Sequence, residues 1–127
     1  MPASSAKPVK PLVAVIEDDA ASSEALCFIL RDWGADVVAD VSAANLMRQL
    51  GARAAQLSSI IADYDLGPAE DGITGARVLR AMAPKARVLV LSGVLSGRGA
   101  ATARDAGFDV LAKPARPAAI IDWLEQA

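Results

Sequence analysis

Five short apolar runs are spaced along the chain and separated by more polar segments. The runs at residues 12–16 (LVAVI) and 87–91 (RVLVL) are almost uninterrupted. Continuous apolar runs of this length are typical of strands that are covered on both faces. Shorter runs occupy residues 37–39, 59–62 and 109–112. The pattern therefore predicts five strands.

The segments between these runs carry apolar residues at helical spacing. Leu26, Ile29, Leu30 and Trp33 recur three or four positions apart and are followed by Gly34, which predicts a helix that ends there. Four further helices are predicted within residues 42–57, 74–84, 97–107 and 116–127. We expect the helix within residues 42–57 to break near Gly51, and the helix within residues 116–127 to carry Pro117 in its first turn.

Strands that alternate with helices predict a parallel sheet built from right-handed crossovers. The expected architecture is an open, doubly wound α/β sandwich. Ligand sites in such sheets form at the carboxyl ends of the strands, where the strand order reverses.

Length and composition fit a single globular domain. The chain has 127 residues, 54% of them hydrophobic, and a mean hydropathy of +0.33. Residues 1–10 (MPASSAKPVK) are predicted to be a flexible tail, and residues 11–127 the domain. No apolar run approaches the roughly 20 residues that a membrane span requires, and the tail lacks the apolar region of a signal peptide.

Charge and residue usage exclude several functions. A net charge of -2 and an aromatic content of 4% argue against nucleic acid or an anionic membrane as a partner. The chain has no histidine, which excludes histidine catalysis and histidine-ligated metals. The single cysteine, Cys27, lies in an apolar helical pattern and is predicted to be a core residue. This usage fits a reducing compartment, and we expect a cytoplasmic protein.

Polar or charged residues end four of the five predicted strands. They are the acidic triplet at residues 17–19, Asp63, Ser92 and Lys113. An acid after a strand is often only the N-cap of the next helix, and this interpretation is favoured for Asp19 taken alone. The coincidence of all four groups at one edge of the sheet instead indicates a site.

The chemistry of these residues suits a phosphoryl group. Glu17, Asp18 and Asp63 would place three carboxylates close together, and oxygen ligands of this kind favour Mg²⁺. Lys113 supplies a positive charge, and Ser92 supplies a hydroxyl donor. An aspartate is already ionised at neutral pH and can attack phosphorus without a general base. Asp63 is therefore predicted to form an aspartyl phosphate.

With these residues, the sequence resembles the receiver domain of two-component signalling over about residues 11–127. The resemblance rests on four segments: VAVIEDDA, IIADYDLGPAEDG, VLVLSG and LAKPARP. It implies a flavodoxin-like (βα)5 sandwich with strand order 2-1-3-4-5. It also implies a phosphorelay role, in which a histidine kinase or phosphotransfer protein donates the phosphoryl group and phosphorylation switches contacts with an output protein. Such a domain is not a dedicated turnover enzyme.

The resemblance also assigns roles to particular residues. It gives Glu17 and Asp18 as the acidic pair that holds Mg²⁺ and Asp63 as the phospho-acceptor. The backbone carbonyl of Asp65 would be the third protein ligand of the ion. The bond between Lys113 and Pro114 would be cis, which points the lysine inward.

Several positions depart from the common form of the family. Ser92 and Gly93 stand where threonine and alanine are frequent, and Val110 stands where many members carry an aromatic switch residue. The fourth helix contains Gly97 and Gly99, and glycine is a poor helix former. We therefore expect movement of the loop between strand four and helix four, rather than an aromatic swing, to carry the signal.

Two other functions are compatible with some of the same residues. The segment DYDLG resembles the Asp-x-Asp motif of haloacid-dehalogenase-like phosphatases, in which Asp65 would be the general acid and base. That motif normally lies on the first strand, and this chain has no cap domain. A second alternative is a receiver-like interaction module that is not phosphorylated. Within the receiver interpretation, the chain is either a stand-alone receiver or a receiver taken from a longer protein such as a hybrid histidine kinase.

Overall fold

A computed structural model describes residues 10–64, 72–93 and 97–126 of the chain. The five predicted strands are present, with bounds β1 Leu12–Ile16, β2 Asp36–Asp40, β3 Leu57–Asp63, β4 Arg87–Ser92 and β5 Asp109–Ala112. The helices are α1 Ala20–Trp33, α2 Ala43–Leu50, α3 Gly72–Met82, α4 Arg98–Asp105 and α5 Pro117–Glu125, and a 3₁₀ helix, Gly51–Gln56, follows α2.

All strand pairs are parallel, and the sheet has the order β2-β1-β3-β4-β5. This is the predicted flavodoxin-like topology. The chain passes from β1 outward to β2 and then returns across β1 to β3, so the strand order reverses between β1 and β3. The carboxyl ends of these two strands are therefore neighbours at the switch point where such folds form their sites.

Two apolar layers enclose the sheet. Ala14 and Ile16 of β1 face the layer that contains Leu46 of α2 and Leu79 of α3. Alternate residues of the same strand face the opposite layer, which is built by α1 and α5. Because both faces of β1 are covered, every one of its five residues is buried, which explains the uninterrupted apolar run in the sequence.

Helix α1 begins and ends as its sequence predicts. The Asp19 carboxylate accepts a hydrogen bond from the Ser22 N–H over 2.8 Å and caps the amino end. The helix ends at Gly34, whose φ of 117° lies in the left-handed region that favours glycine. Cys27 is buried on this helix, as expected.

Element boundaries differ slightly from those predicted. Strand β3 is longer than the apolar run at residues 59–62, because Leu57 and Ser58 precede it and Asp63 closes it. Asp63 is thus the last residue of the strand and is held by its hydrogen-bonding ladder. The second helix breaks at Gly51, where the chain continues as the 3₁₀ helix.

The carboxyl end of α5 is fixed to β4 by Arg87. The guanidinium donates to the carbonyl oxygens of Trp123 and Gln126, over 2.6 and 2.8 Å, and lies 4.2 Å from the centre of the Trp123 ring. The Trp123 Nε1–H donates to Asp109 on β5 over 2.7 Å. These contacts hold α5 against the edge of the sheet. Among the described residues, no helix is long and apolar enough to cross a membrane.

Candidate functional site

Strand register brings the first two acidic residues of the site together. Ile16 pairs with Ala62, so the next residues along the chain, Glu17 and Asp63, lie side by side at the edge of the sheet. Asp63 in turn pairs with Leu91, which places Ser92 one position further along the same edge. Sheet order thus determines which strand ends meet, and the polar residues lie at those ends.

The acidic cluster consists of Glu17, Asp18 and Asp63. One carboxylate oxygen from each residue lies within 4.8 Å of the others. Glu17 and Asp63 are 8% and 5% exposed, whereas Asp18 faces solvent. Two buried carboxylates beside a third are unfavourable unless a cation or a proton compensates their charge.

The electrostatic cost of the cluster is evident at Glu17. Burial raises the pKa of its carboxyl group to about 7, and Asp63 contributes to the increase through its charge and a hydrogen bond. The backbone N–H of Asp19 donates to Glu17 Oε1 over 2.9 Å, and this bond and the charge of Lys113 both act to lower the pKa. The raising effects are larger, so Glu17 holds a proton near neutral pH when no cation is bound.

Lys113 provides a positive charge at the cluster. Its ammonium group forms an ion pair with the Asp63 carboxylate, and its backbone N–H donates to the Ser92 carbonyl over 2.9 Å. The Lys113–Pro114 bond is cis. The lysine side chain is 34% exposed, while that of Asp63 is 5% exposed, so the ion pair lies at the boundary between the site and solvent.

Ser92 is the last residue of β4 and is only 3% exposed. Its backbone is tied to β5 through the Lys113 N–H. A hydroxyl at this position lies at the same sheet edge as the Asp63 carboxylate, which is where a donor to an anionic group on Asp63 is needed.

The structure brings four of the predicted site residues into one cluster: Glu17, Asp18, Asp63 and Lys113. Asp19, the acid that directly follows Asp18, lies at the N-cap of α1 instead. The predicted ligand at residue 65 lies outside the described residues, as do positions 94–96 of the loop that is expected to move.

Two further residues pack against the apolar core. Val110, at the position where an aromatic residue is frequent in the family, is partly buried in β5 and packs against the core. Tyr64, which no motif in the sequence marks, directly follows Asp63 and packs against the same core. The glycine at residue 99, opposite the tyrosine ring, is the sequence signal that could have indicated this contact.

A groove of about 540 Å³ opens beside the acidic cluster. Glu17 and Lys113 form its polar end, and Leu26, Ile29 and Ile120 provide an apolar wall from α1 and α5.

The residues of the cluster fit a hard divalent cation. All of their donors are carboxylate oxygens, and they converge within 4.8 Å, while nitrogen and sulfur ligands are absent from this cluster. Burial and, to a smaller extent, the Asp63 charge raise the pKa of Glu17, and a divalent ion would offset both effects by stabilising the ionised carboxylate. This combination favours Mg²⁺ or Ca²⁺ over a transition metal.

Comparison with known proteins assigns the family. The sequence profile of the response regulator receiver domain matches residues 13–125. A response regulator from Burkholderia pseudomallei, solved with a phosphorylated aspartic acid, a calcium ion and citrate, is 28% identical, with 92% of this chain and 68% of that chain covered and a TM-score of 0.78.

Two more distant structures share the fold. A receiver domain protein from Clostridium thermocellum is 21% identical with a TM-score of 0.79, and 90% of each chain is covered. The receiver domain of an HD domain-containing protein from Pseudomonas fluorescens is 20% identical with a TM-score of 0.80, and 94% of each chain is covered. No curated protein matches the chain significantly.

The fold and the acidic edge of the sheet define a receiver of the two-component type. The chain belongs to the response regulator receiver domain family. Members of this family bind Mg²⁺ in an acidic pocket, interact with histidine kinases or phosphotransfer proteins, and are generally phospho-acceptors rather than enzymes. This assignment goes against the haloacid-dehalogenase-like alternative.

Proposed function

We propose that this protein is a phospho-accepting receiver in which Asp63 takes a phosphoryl group in the presence of Mg²⁺. One observation carries the proposal: the buried Asp63 carboxylate lies in a carboxylate cluster with Glu17 and Asp18 and forms an ion pair with Lys113. A carboxylate used only for stability would not need two further acids beside it.

The chemistry requires little from the side chains beyond position and charge. A carboxylate oxygen of Asp63 attacks the phosphorus of a phosphohistidine or an acyl phosphate. A phosphorus–oxygen bond forms as the bond to the leaving group breaks, and the electron pair leaves with the imidazole or the acid. Lys113 stabilises the charge of the phosphoryl oxygens, and the Ser92 hydroxyl donates to one of them once it turns inward.

Glu17, Asp18 and Asp63, with the backbone carbonyl of Asp65, would hold the metal ion. When bound, the ion supplies positive charge that offsets both the carboxylates and the incoming phosphoryl oxygens. The calcium ion and phosphorylated aspartic acid of the B. pseudomallei relative support a metal beside an aspartyl phosphate in this chain too.

The phosphoryl donor is a histidine kinase or a phosphotransfer protein, and the outcome is a change in contact with an output protein. The apolar wall of the groove beside Glu17 and Lys113 offers a surface on which a donor helix could pack. We propose a cytoplasmic location, and a domain that spans residues 11–127 after a short tail.

Intact-mass analysis after incubation with acetyl phosphate and Mg²⁺ tests the proposal. The wild-type protein should gain the mass of one phosphoryl group, and Asp63→Asn should gain none while remaining folded. Asp32→Asn, which removes an exposed acid on α1, is the matched control and should label fully.

The outcomes separate the remaining alternatives. Full labelling of Asp63→Asn would show that another residue is the acceptor. A wild-type protein that binds Mg²⁺ but accepts no phosphoryl group from acetyl phosphate or from histidine kinases would indicate an interaction module that is not phosphorylated.

A further inference from the structure

The backbone of Tyr64, the residue after Asp63, is fixed on two sides. Its N–H donates to the Leu91 carbonyl over 2.9 Å, and its carbonyl accepts from the Gly72 N–H over 3.3 Å. Leu91 directly precedes Ser92 on β4, and Gly72 begins α3. Tyr64 therefore links the strand end that carries Asp63 to the strand end that carries Ser92.

The approach of α3 to this segment is unusually close. A Cβ atom added to Gly72 would overlap the Asp63 carbonyl oxygen and lie 2.6 Å from its carbonyl carbon. No residue with a side chain could occupy this position without displacement of the backbone. The peptide between Asp63 and Tyr64 is thus packed directly against the first turn of α3.

The Tyr64 ring fills the space of a missing side chain on α4. A Cβ atom added to Gly99 would lie 2.6 Å from both Cε atoms of the ring and closer still to Cζ. Gly99 is buried in the first turn of α4, where glycine is otherwise a poor helix former. The ring therefore rests on the helix backbone itself.

We propose that Tyr64 is a positioning residue through which the state of Asp63 is passed to helix α4. The inference rests on the proposed function, because it requires Asp63 to change charge. Phosphorylation would draw Ser92 toward Asp63 and so displace Leu91, the hydrogen-bond partner of the Tyr64 N–H. Because packed interiors transmit displacement, a shift of Tyr64 must move either its own ring or the turn of α4 that contains Gly99.

Because the Tyr64 ring touches the backbone of α4 at Gly99, no side chain of the helix lies between them that could absorb a movement of the ring. A ring in contact with a side chain could be accommodated by a change of rotamer in its neighbour. Gly99 has no side chain that could change rotamer, so the α4 backbone meets any displacement of the Tyr64 ring that the rotamers of the tyrosine itself do not absorb. Tyr64 is also the only tyrosine of the chain, which makes its substitution simple to interpret.

A double-mutant cycle tests the contact. Gly99→Ala should lower the melting temperature when Tyr64 is present, because the new methyl group overlaps the ring. The same substitution in a Tyr64→Ala background should raise the melting temperature, because alanine favours the helix. Equal effects of Gly99→Ala in the two backgrounds would overturn the proposed contact.

Amide NMR with Mg²⁺ and beryllofluoride, a phosphoryl mimic, tests the transmission. The wild-type protein should show shifts near the site, at Ala62 and Ser92, and also in α4 at residues 100–104. Tyr64→Ala should keep the first set and lose at least half of the second. Tyr64→Phe, which retains the ring, should keep both.

The possible results are distinguishable. Shifts in α4 that persist undiminished in Tyr64→Ala, or that are missing from the wild-type protein while the site responds, overturn this inference alone. Absence of any response at Ala62 and Ser92 in the wild-type protein overturns the proposed function as well. If the alanine variant is too unstable for NMR, Tyr64→Leu preserves apolar volume without the planar ring and should behave in the same way.

Discussion

Lys113 and Asp63 form an ion pair across the carboxyl edge of the sheet, although β4 lies between the strands that carry them. The side chain of Asp63 is almost completely buried, and the side chain of Lys113 is about one-third exposed. Lys113 is therefore the cation that the protein itself provides for a carboxylate that already has Glu17 and Asp18 beside it.

Removal of the lysine charge should destabilise the metal-free protein. Lys113→Met removes the positive charge that pairs with Asp63 while Glu17 and Asp18 stay beside that carboxylate. We expect the free energy of unfolding to fall by about 1–2 kcal/mol, less than for a fully buried pair because the lysine is partly exposed. Addition of Mg²⁺ should reduce the loss. Urea unfolding with and without Mg²⁺ measures both effects. Lys85→Met, at an exposed position before β4, is the control, and an equal loss in this variant would argue against the special role of Lys113.

The raised pKa of Glu17 predicts how stability depends on pH. The folded protein holds this proton up to about pH 7, whereas the ordinary value is 4.5. The stability that the folded protein has while Glu17 is protonated is therefore fully present below pH 4.5 and is lost as the pH rises through about 7. Glu17→Gln keeps a neutral side chain at every pH and should be more stable than the metal-free wild-type protein above pH 7 by on the order of 2 kcal/mol.

Urea unfolding in a chelator at about pH 5 and about pH 8 checks the sign of this effect. The stability difference between Glu17→Gln and wild type should be small at the lower pH and large at the higher pH. Glu24→Gln, an exposed glutamate on α1, should show no such dependence. A difference that does not change with pH would show that Glu17 is ionised throughout.

Mg²⁺ binding should require the two acids that follow β1. We expect a variant that combines Glu17→Gln with Asp18→Asn to lose most of its Mg²⁺ affinity, while its metal-free stability rises or stays level because repulsion around Asp63 is relieved. Asp19→Asn is a close control, since Asp19 caps α1 and does not belong to the cluster. Titration calorimetry should find wild-type affinity in the control, and the same affinity in the double variant would contradict the assignment.

Wild-type Mg²⁺ binding should also release protons below about pH 7, because the ion displaces the proton held by Glu17. Calorimetry in two buffers with different ionisation enthalpies measures this release directly. Affinity should increase as the pH rises toward 7 and then level off. Binding heats that do not depend on the buffer would count against a protonated Glu17.

The Ser92 hydroxyl should couple phosphorylation to the loop that follows β4. With Mg²⁺ and beryllofluoride, Ser92→Ala should retain amide shifts near Asp63 but lose much of the response across residues 97–105. Ser92→Thr retains the hydroxyl and should respond like the wild-type protein. An unchanged response in Ser92→Ala would show that the loop moves without this donor.

Much of the fold could be predicted from the alternation of apolar runs and helical patterns. The five strands, the end of α1 at Gly34 and the break after α2 at Gly51 follow from local preferences that the sequence displays directly. Apolar pattern could not give the order of the strands, because parallel strands joined by crossovers can be arranged in several orders. The resemblance to receiver domains supplied that order, and the sheet confirms it.

The residue types at the strand ends can be read from the sequence, but which of these side chains meet cannot. Glu17 and Asp19 are both acids next to the same aspartate, yet one joins the buried cluster and the other caps a helix. The difference arises from the direction of the chain as it leaves β1, which depends on how α1 packs on the sheet.

Contacts between distant segments could not be predicted from the sequence, because they arise when the elements pack together. The stacking of Arg87 on Trp123 and the contact of Tyr64 with Gly99 join residues 36 and 35 positions apart in the printed sequence. The raised pKa of Glu17 likewise depends on burial and on a carboxylate from another strand. Hydrophobic periodicity indicates the local conformation of a segment and which of its faces is buried. The interactions above depend instead on how close side chains from different segments lie once the sheet and both helical layers have packed together.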